Sequence, residues 1–158
     1  MTHQLKTIHL ATDHAGYTQK EYIKTFLEEK GYSVIDHGAF ELDPTDDYPV
    51  YIQPAIVQVS KAHNTNVVAI ILGGSGQGEA IVASKYPHIR TTVCYGGDMA
   101  REIVKLGREH NDANVLSLGI RFIEEQDVLE LVNIWLNTSF TKEERHVRRL
   151  AMIEKINK

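Results

Sequence analysis

The sequence predicts an α/β fold: one domain over residues 1–158, built on a doubly wound, Rossmann-like parallel sheet of five strands with a C-terminal helix. Short runs of β-branched and apolar residues alternate along the chain with longer amphipathic segments. The strongest strand pattern, VVAIIL at residues 67–72, leads directly into a glycine-rich loop. A chain of 158 residues with 42% apolar content is large enough for one core and needs no second domain.

The first half of the chain predicts three strands separated by two helices. The elements are a strand at residues 7–11, a helix at 17–30, a strand at 32–35, a helix at 49–61 and a strand at 67–72. Gly31 is suited to end the first helix because glycine tolerates the left-handed conformation found after a helix C-terminus. Pro49 is suited to open the second helix, since its missing N–H has no partner in a first turn. Residues 43–47 between these elements are rich in turn-forming types.

The second half continues the alternation. After the glycine loop, the pattern predicts a short helix to residue 85, a strand at 91–94, a helix capped by Asp98 through residue 106, a strand at 115–118, a helix at 128–136 and a last helix from about Lys142. In the last helix, Val147, Leu150 and Ile153 form an apolar stripe that we expect to pack on the domain.

Strict alternation of strands and helices favours a parallel sheet with helices on both faces. The simplest doubly wound arrangement has strand order 2-1-3-4-5. In that order the chain reverses direction between strands one and three, so a ligand crevice is expected at their carboxyl ends.

Charge and composition narrow the classes of function. A net charge of −4 argues against a nucleic-acid-binding surface, which needs an excess of Lys and Arg. The sequence contains no apolar run of membrane-spanning length and no recognisable secretion signal, so we expect a cytoplasmic protein that makes no membrane contact. Cys94, the single cysteine, is predicted to be a buried core residue rather than a nucleophile.

The glycine loop at residues 73–78 is predicted to hold an oxyanion. Gly74, Gly76 and Gly78 allow backbone N–H groups to turn towards a ligand, and Ser75 adds a hydroxyl donor. The loop lacks the Gly-Lys-Ser/Thr of a phosphate-binding loop, and Ser75 interrupts the dinucleotide spacing. The alternative is that these residues form only a connecting turn.

Four residues are candidates for proton transfer. Glu79 opens the helix after the loop, where the helix dipole would favour its ionised form, although first-turn acids often serve only the dipole. Asp13 and His14 follow strand one on the other side of the expected crevice, where the alternative role is to cap the next helix. His110 precedes strand five and titrates near neutral pH, as do many surface histidines.

Positive charge gathers at two places. Arg121 leaves strand five at its carboxyl end, where it either meets an anion or is simply solvated. Arg145 and Arg149 lie four residues apart and share a helix face, which suits a phosphate dianion, with His146 beside them. The alternative is a solvated basic face. The remaining histidines have no metal-ligand spacing, and no metal or organic cofactor is expected.

These motifs together resemble the ribose-5-phosphate isomerase B family, which also includes galactose-6-phosphate isomerase subunits. The resemblance spans nearly the whole chain and rests on residues 12–16 (TDHAG), 47–49 (DYP), 73–79 (GGSGQGE), 108–111 (REHN) and 144–149 (ERHVRR). It implies conversion of an aldose to a ketose through an enediolate, with ribose 5-phosphate as substrate and no cofactor.

The resemblance also implies roles for individual residues. Asp13 and His110 would open the sugar ring, Glu79 would move the proton, and Ser75 with the loop amides would hold the enediolate oxygen. The phosphate would meet His14, Arg145 and Arg149. The family forms dimers with shared sites, often paired into tetramers, in which Arg121, His110 and Asn111 would come from the neighbouring subunit. Tyr48 would line the sugar pocket.

One departure from the family pattern concerns the base. Many members place a catalytic cysteine where this chain has Gly73, so the chain is similar to the branch that uses a glutamate at the position of Glu79. Two other functions remain open: isomerisation of a six-carbon substrate such as galactose 6-phosphate or allose 6-phosphate, and non-catalytic sensing of a sugar phosphate. A sensor would need the cations but not the base.

Overall fold

The computed structural model describes residues 6–62 and 66–156 of the chain. Five parallel strands form one sheet in the order β2-β1-β3-β5-β4. The strands are β1 (Thr7–Thr12), β2 (Ser33–Asp36), β3 (Val67–Gly73), β4 (Thr91–Cys94) and β5 (Val115–Gly119). The predicted doubly wound parallel sheet is therefore confirmed.

Six α-helices connect and flank the strands in the described part of the chain. They are α1 (Tyr17–Glu29), α2 (Pro49–Ala62), α3 (Gln77–Ala83), α4 (Ala100–Asn111), α5 (Glu125–Asn137) and α6 (Glu144–Ile153). Two 3₁₀ turns follow β1 and β5, at His14–Gly16 and Ile120–Phe122. Within the residues described, no helix has both the length and the apolar character needed to cross a bilayer.

The predicted order of the last two strands is wrong, because β5 lies between β3 and β4. Residues of β5 pair with β3 from Val115 opposite Ala69 to Gly119 opposite Gly73, and β4 pairs only with β5. Every residue of β5 is buried, whereas burial in β4 alternates. A strand with neighbours on both sides must tolerate burial on both faces, and the sequence VLSLG fits that position better than TTVC.

The helices cover both faces of the sheet and enclose two apolar cores. Helices α1, α4 and α5 pack on one face of the sheet, in a core that includes Leu10, Leu118 and the fully buried Trp135 of α5. Helices α2 and α3 pack on the other face, in a core that includes Ile71 and Ile56 of α2. Burying each such side chain contributes about 1.5–3 kcal/mol, so both faces of the sheet are held firmly. Cys94 lies in the first of these cores, as predicted, and burial raises the pKa of its thiol to about 11.

Helix α4 is longer than predicted and starts later. It begins at Ala100 without a side-chain cap, so the predicted capping by Asp98 is wrong. It also continues through Gly107 to Asn111, beyond the predicted end at residue 106. A Cβ atom on Gly107 would collide with Thr92 of β4, so glycine serves here to bring the helix close to the sheet.

Helix α6 packs less than predicted. It begins at Glu144 rather than Lys142, and only His146 among its residues is buried. Val147 is 46% exposed and Ile153 is 51% exposed, so the expectation that this stripe packs on its own domain is wrong. The helix contacts the end of α4, and Glu154 at its C-terminal cap pairs with His88 and Arg90 in the segment before β4.

Candidate active site

The glycine loop, residues 73–78, connects β3 to α3 at the carboxyl edge of the sheet. Gly76 has a φ of 70°, in the left-handed region, and a Cβ atom there would stand 3.0 Å from the backbone of Leu118 and Gly119. The buried Ser117 hydroxyl of β5 donates a 2.6 Å hydrogen bond to the Gly76 carbonyl. The neighbouring β5 therefore fixes the shape of the loop.

Ser75 lies in the glycine loop, where it can both stabilise the turn and donate its hydroxyl hydrogen to a ligand. Its hydroxyl oxygen accepts a 3.3 Å hydrogen bond from the Gln77 N–H, as expected of a turn-forming serine. Because a hydroxyl can accept and donate at the same time, its hydrogen can still point towards a ligand.

Glu79 is buried in the first turn of α3, with 4% of its surface exposed. Its carboxylate folds back over Gly73, and a Cβ atom on Gly73 would collide with it. Burial raises the pKa of Glu79, a backbone hydrogen bond opposes this, and the charge of Asp13 adds to the increase. The net shift is opposite to the one expected from the helix dipole alone, because burial is the largest cause. A carboxyl group with a raised pKa is suited to general-base chemistry near neutral pH.

Asp13 faces Glu79 across the crevice from the end of β1. It is buried, and one carboxylate oxygen accepts a 3.0 Å hydrogen bond from the Ala15 N–H. Asp13 therefore caps the 3₁₀ turn, and its charge also raises the pKa of Glu79, so the two carboxylates lie near each other. The Thr12 hydroxyl donates to the Leu72 carbonyl at 3.0 Å and holds the ends of β1 and β3 together.

His14 forms a pair with Asp46, a residue that sequence reasoning missed. One oxygen of Asp46 lies 2.6 Å from His14 Nδ1 and accepts the His14 backbone N–H at 3.1 Å. The hydrogen bond to Asp46 is the main cause of the raised pKa of His14, and burial and Arg121 oppose it. Asp46 lies in a loop rich in turn formers, and no spacing rule links that loop to residue 14, so only the folded chain reveals the pair.

Arg121 reaches the glycine loop of its own chain. Its backbone N–H donates to the Gly74 carbonyl at 3.1 Å, and its guanidinium group lies 3.1 Å from the point where a Gly74 Cβ would stand. Its charge also lowers the pKa of His14, so both cations face the same crevice. The expectation that Arg121 comes from a neighbouring subunit is therefore wrong, because β5 lies next to β3.

Tyr48 closes another side of the loop. Its hydroxyl lies 2.7 Å from the point where a Cβ atom on Gly78 would stand, so residue 78 must be glycine for the ring to lie there. Tyr48 therefore lies beside the glycine loop, and its role in lining a sugar pocket stays a prediction.

A cavity of about 470 Å³ opens beside Ser75, within the size range of small-molecule sites. It is also lined by Gln77, Tyr95, Gly96 and Phe122. The Gln77 amide donates to the Tyr95 hydroxyl at 2.8 Å, and the rings of Tyr95 and Phe122 meet edge to face. Tyr95 and Phe122 belong to none of the motifs that the sequence shows, and Gln77 lies within the glycine-rich motif without being singled out as a site residue.

Asp13, His14 and Asp46 also satisfy a geometric requirement for binding a cation, since one ligand atom from each lies within 4.8 Å of the others. The imidazole Nδ1 is at hydrogen-bond distance from Asp46, and a cation bound there would replace that bond. Within this group His14 is hydrogen-bonded to Asp46, and an Asp13 carboxylate oxygen lies 3.8 Å from the same ring nitrogen.

The other predicted site residues lie at the opposite edge of the sheet. They are His110, Asn111, Arg145, His146 and Arg149. Helix α4 ends at Asn111, just before β5 begins, which places this group at the amino ends of the strands. A strand of five residues spans about 16 Å, so this group does not meet the glycine loop within one chain. The expectation that His14, Arg145 and Arg149 share one phosphate is wrong for a single subunit.

The second group has its own internal structure. The rings of His110 and His146 lie 4.3 Å apart, and His146 is buried with its Nδ1 3.2 Å from the Thr141 hydroxyl. Arg145 is exposed and donates to Glu143 at 2.9 Å, and Arg149 is exposed on the same helix. The packing of α6 against the end of α4 therefore presents these cations outward.

Comparison with known proteins identifies the family of the chain. A family model described as Ribose/Galactose Isomerase matches residues 8–153. Ribose-5-phosphate isomerase B of Mycolicibacterium paratuberculosis is 35% identical over 146 residues, covering 92% of this chain and 88% of the relative. The Escherichia coli protein of the same name is 33% identical over 152 residues, covering 96% and 97%.

Solved structures show the same fold. Ribose-5-phosphate isomerase B from Mycoplasma genitalium with bound ribulose-5-phosphate superposes with a TM-score of 0.89 at 29% identity, covering 97% of both chains. The Clostridium thermocellum enzyme superposes with a TM-score of 0.85 at 35% identity, covering 95% of this chain and 96% of that one.

Proposed function

The chain belongs to the ribose/galactose isomerase family, and we propose on that premise that it interconverts ribose 5-phosphate and ribulose 5-phosphate. The relatives described above carry the name ribose-5-phosphate isomerase B, and one of them was solved with ribulose-5-phosphate bound. The observation that carries the proposal is the buried Glu79 carboxylate lying over Gly73, at the mouth of a loop rich in backbone donors.

In the proposed mechanism Glu79 removes the proton from C2 of the open-chain aldose. The C2–H electrons form the C1–C2 double bond, and the carbonyl π electrons move to O1. The loop amides and the Ser75 hydroxyl stabilise the resulting negative charge. Glu79 then returns the proton to C1, while the hydrogen of the C2 hydroxyl moves to O1 and leaves a C2 ketone. General-base action of this kind contributes roughly 10²- to 10⁴-fold.

Ring opening and phosphate binding are divided between two subunits in our proposal. Asp13, His14 and Arg121 come from one chain, as their places around the glycine loop support. His110 and Asn111 would come from a second copy and act with Asp13 on the sugar ring. Arg145, His146 and Arg149 of that copy would meet the phosphate beside His14.

The proposed assembly is a homodimer with shared sites, in which dimers can pair into tetramers. The exposed apolar residues of α6, among them Val147 and Ile153, support it, since an unburied stripe beside an exposed basic face suits docking against another chain. A closed two-fold dimer would complete two sites at once.

Subunit complementation tests the sharing of sites. Glu79→Gln and Arg149→Ala chains are each expected to be nearly inactive, because every site in either dimer lacks one group. Refolding an equal mixture makes half the dimers mixed, and each mixed dimer has one intact site, so about a quarter of normal activity should return. Failure of the mixture to regain activity would contradict the shared site.

The proposed reaction itself is tested by incubating purified protein with ribose 5-phosphate and EDTA and measuring ribulose 5-phosphate. The Glu79→Gln variant should lose about 10²- to 10⁴-fold in kcat while binding phosphate nearly normally. An unchanged kcat in this variant would remove Glu79 from the mechanism.

A second candidate is isomerisation of a six-carbon sugar phosphate, which the galactose in the family description favours. The cavity beside Ser75 offers space for one more carbon. Comparison of kcat/KM across five- and six-carbon phosphates distinguishes the two substrates, because one added carbon alters pocket contacts and leaves the catalytic groups unchanged.

We also propose a cytoplasmic location. The single cysteine is buried and unpaired, as suits a reducing compartment. Fractionation of cells with an antibody against the protein tests this location.

A further inference from the structure

We propose that Asp46 is a positioning residue that holds the His14 imidazole in one orientation and keeps it protonated to receive the phosphate of the substrate. This inference rests on the proposed function, because it assigns Asp46 a task at the same site. No sequence motif pointed to Asp46, and it does not itself need to touch the substrate.

The geometry of the pair supports this role. One Asp46 oxygen contacts both the backbone N–H and the Nδ1 of His14, at 3.1 and 2.6 Å. Two contacts from one atom fix the ring as well as the chain. The side chain of Asp46 is 5% exposed and that of His14 is 28% exposed. The buried partner is thus the carboxylate, and the imidazole is the member that remains accessible to a ligand.

The tautomer follows from this arrangement. Because Asp46 is an acceptor, Nδ1 of His14 carries a hydrogen and donates it to the carboxylate. Protonation of His14 then adds a second hydrogen at Nε2, and that N–H becomes a charged donor for a phosphate oxygen. Arg121, whose guanidinium lies over Gly74, adds a second cation to the same crevice.

The charge of His14 depends on groups from every segment packed around it. Asp46, from the loop before α2, raises the pKa of His14 through its hydrogen bond and its charge, and Asp13 raises it by charge. Burial and Arg121, from the turn after β5, lower that pKa. Asp43 also faces His14, since the imidazole helps to lower the pKa of Asp43.

Tyr51 on α2 completes the surroundings of the pair. Burial is the largest cause of the raised pKa of Tyr51, and the charges of Asp46 and Asp43 raise that pKa further. The Tyr51 hydroxyl therefore remains neutral at physiological pH. Asp46 is therefore the residue whose removal should change the charge of His14 most.

The pH dependence of anion binding follows from these groups. A phosphate becomes a dianion above a pKa of about 6, whereas His14 loses its charge as the pH rises through its raised pKa. Phosphate binding should therefore be strongest at a pH between the second pKa of phosphate and the pKa of His14. Loss of the Asp46 charge lowers the pKa of His14 and so narrows this pH range.

Two substitutions separate charge from orientation. In Asp46→Asn the amide oxygen can still accept from Nδ1, so the ring keeps its orientation but loses the neighbouring charge. In Asp46→Ala both are lost. Asp43→Asn is the matched control. The Asp43 carboxylate lies in the same loop and acts on His14 by its charge, but its hydrogen bond goes to the Thr45 N–H and not to the imidazole ring.

The first measurement is an NMR titration of the His14 ring in EDTA, with inorganic phosphate absent. Wild-type His14 should titrate above its ordinary value of 6.5, and Asp46→Asn should lower this midpoint towards that value while Asp43→Asn leaves it nearly unchanged. A wild-type midpoint below 6.5, or an unchanged midpoint in Asp46→Asn, overturns the proposal even if a variant folds poorly.

The second measurement is binding of inorganic phosphate across the pH range. Asp46→Asn should weaken binding by about tenfold at the pH where only the wild-type ring is still charged, and should approach wild-type binding at lower pH. Equal weakening at all pH values would indicate a purely structural role and overturn the proposal.

Turnover of ribose 5-phosphate gives the third measurement. Asp46→Asn should raise KM by roughly three- to tenfold above neutral pH and change kcat by less than about twofold. Neither the ring titration nor phosphate binding requires turnover. If the isomerase function failed, those two results would still decide the role of Asp46.

Discussion

The carboxylate of Glu79 occupies the space in which a side chain on residue 73 would begin. The two residues are six apart, and the tight turn of the glycine loop brings them into contact. In the proposed mechanism, this contact places the Glu79 base where the family resemblance would lead one to expect a cysteine thiol at residue 73. A side chain on residue 73 and a carboxylate from residue 79 cannot occupy the same place, so the two arrangements exclude each other.

Substitution of Gly73 tests this contact. Gly73→Ala should displace the Glu79 carboxylate and lower kcat by about 10²-fold, because a base moved from its position loses most of its effect. Gly31→Ala is the control for a change at a glycine: its φ is 81° and its surroundings are open, so it should lower thermal stability without altering kcat. Wild-type turnover in Gly73→Ala would contradict the contact.

The raised pKa of Glu79 predicts the acid limb of the activity profile. A base must be deprotonated, so kcat should fall with decreasing pH through a midpoint above the ordinary glutamate value of 4.5. The measurement is kcat from pH 4 to 8 in EDTA. A midpoint at or below the ordinary value would show that Glu79 is not the titrating base.

The same shift predicts an effect on stability. A carboxyl group whose pKa is raised by folding stabilises the protein below the unfolded pKa, and this contribution is lost as the pH rises through the folded pKa. Glu79→Gln cannot ionise, so it should be at least as stable as the wild type at pH 8. The difference in unfolding free energy between Glu79→Gln and the wild type should shrink as the pH falls towards 4. Urea unfolding at pH 8 and pH 4 measures this difference. A variant less stable than the wild type at pH 8 would contradict the raised pKa of Glu79.

The hydroxyl of Ser117 should matter for both stability and turnover. Ser117→Ala leaves the buried Gly76 carbonyl without its 2.6 Å donor, which should cost about 1–3 kcal/mol in unfolding free energy and lower kcat through a looser loop. Ser84→Ala serves as the control, because it removes an exposed hydrogen bond from the Ser84 hydroxyl to the Ile81 carbonyl at the end of α3. Equal behaviour of the two variants would mean that β5 does not hold the loop.

The exposed stripe on α6 should control assembly. Val147→Glu places a charge where a second chain is proposed to dock, so light scattering should show a shift towards monomer and activity should fall with it. Tyr22→Glu changes an equally exposed residue on α1 and should leave the dimer intact. A dimer that survives Val147→Glu with full activity would place the interface elsewhere.

Local patterns were sufficient to predict most of the fold. The alternating strands and helices, the carboxyl-edge crevice and the glycine loop were read from residue types whose preferences act within a few positions. The resemblance to the family, and with it isomerase function, is confirmed by the comparisons. The roles assigned to Glu79, Ser75 and the cations remain predictions.

Long-range packing decided which residues distant in the sequence come into contact. The place of β5 beside β3, the His14–Asp46 bond and the fold of Glu79 over Gly73 each join residues whose contact no periodicity encodes. The predicted end of the fourth helix at residue 106 is too early, because a local pattern does not include the strand that Gly107 packs against. The sequence by itself determined the elements and the kinds of chemistry available, because these depend on residue type and near neighbours. Only the tertiary structure decided which groups meet and which pKa values shift, because burial and charge act through space.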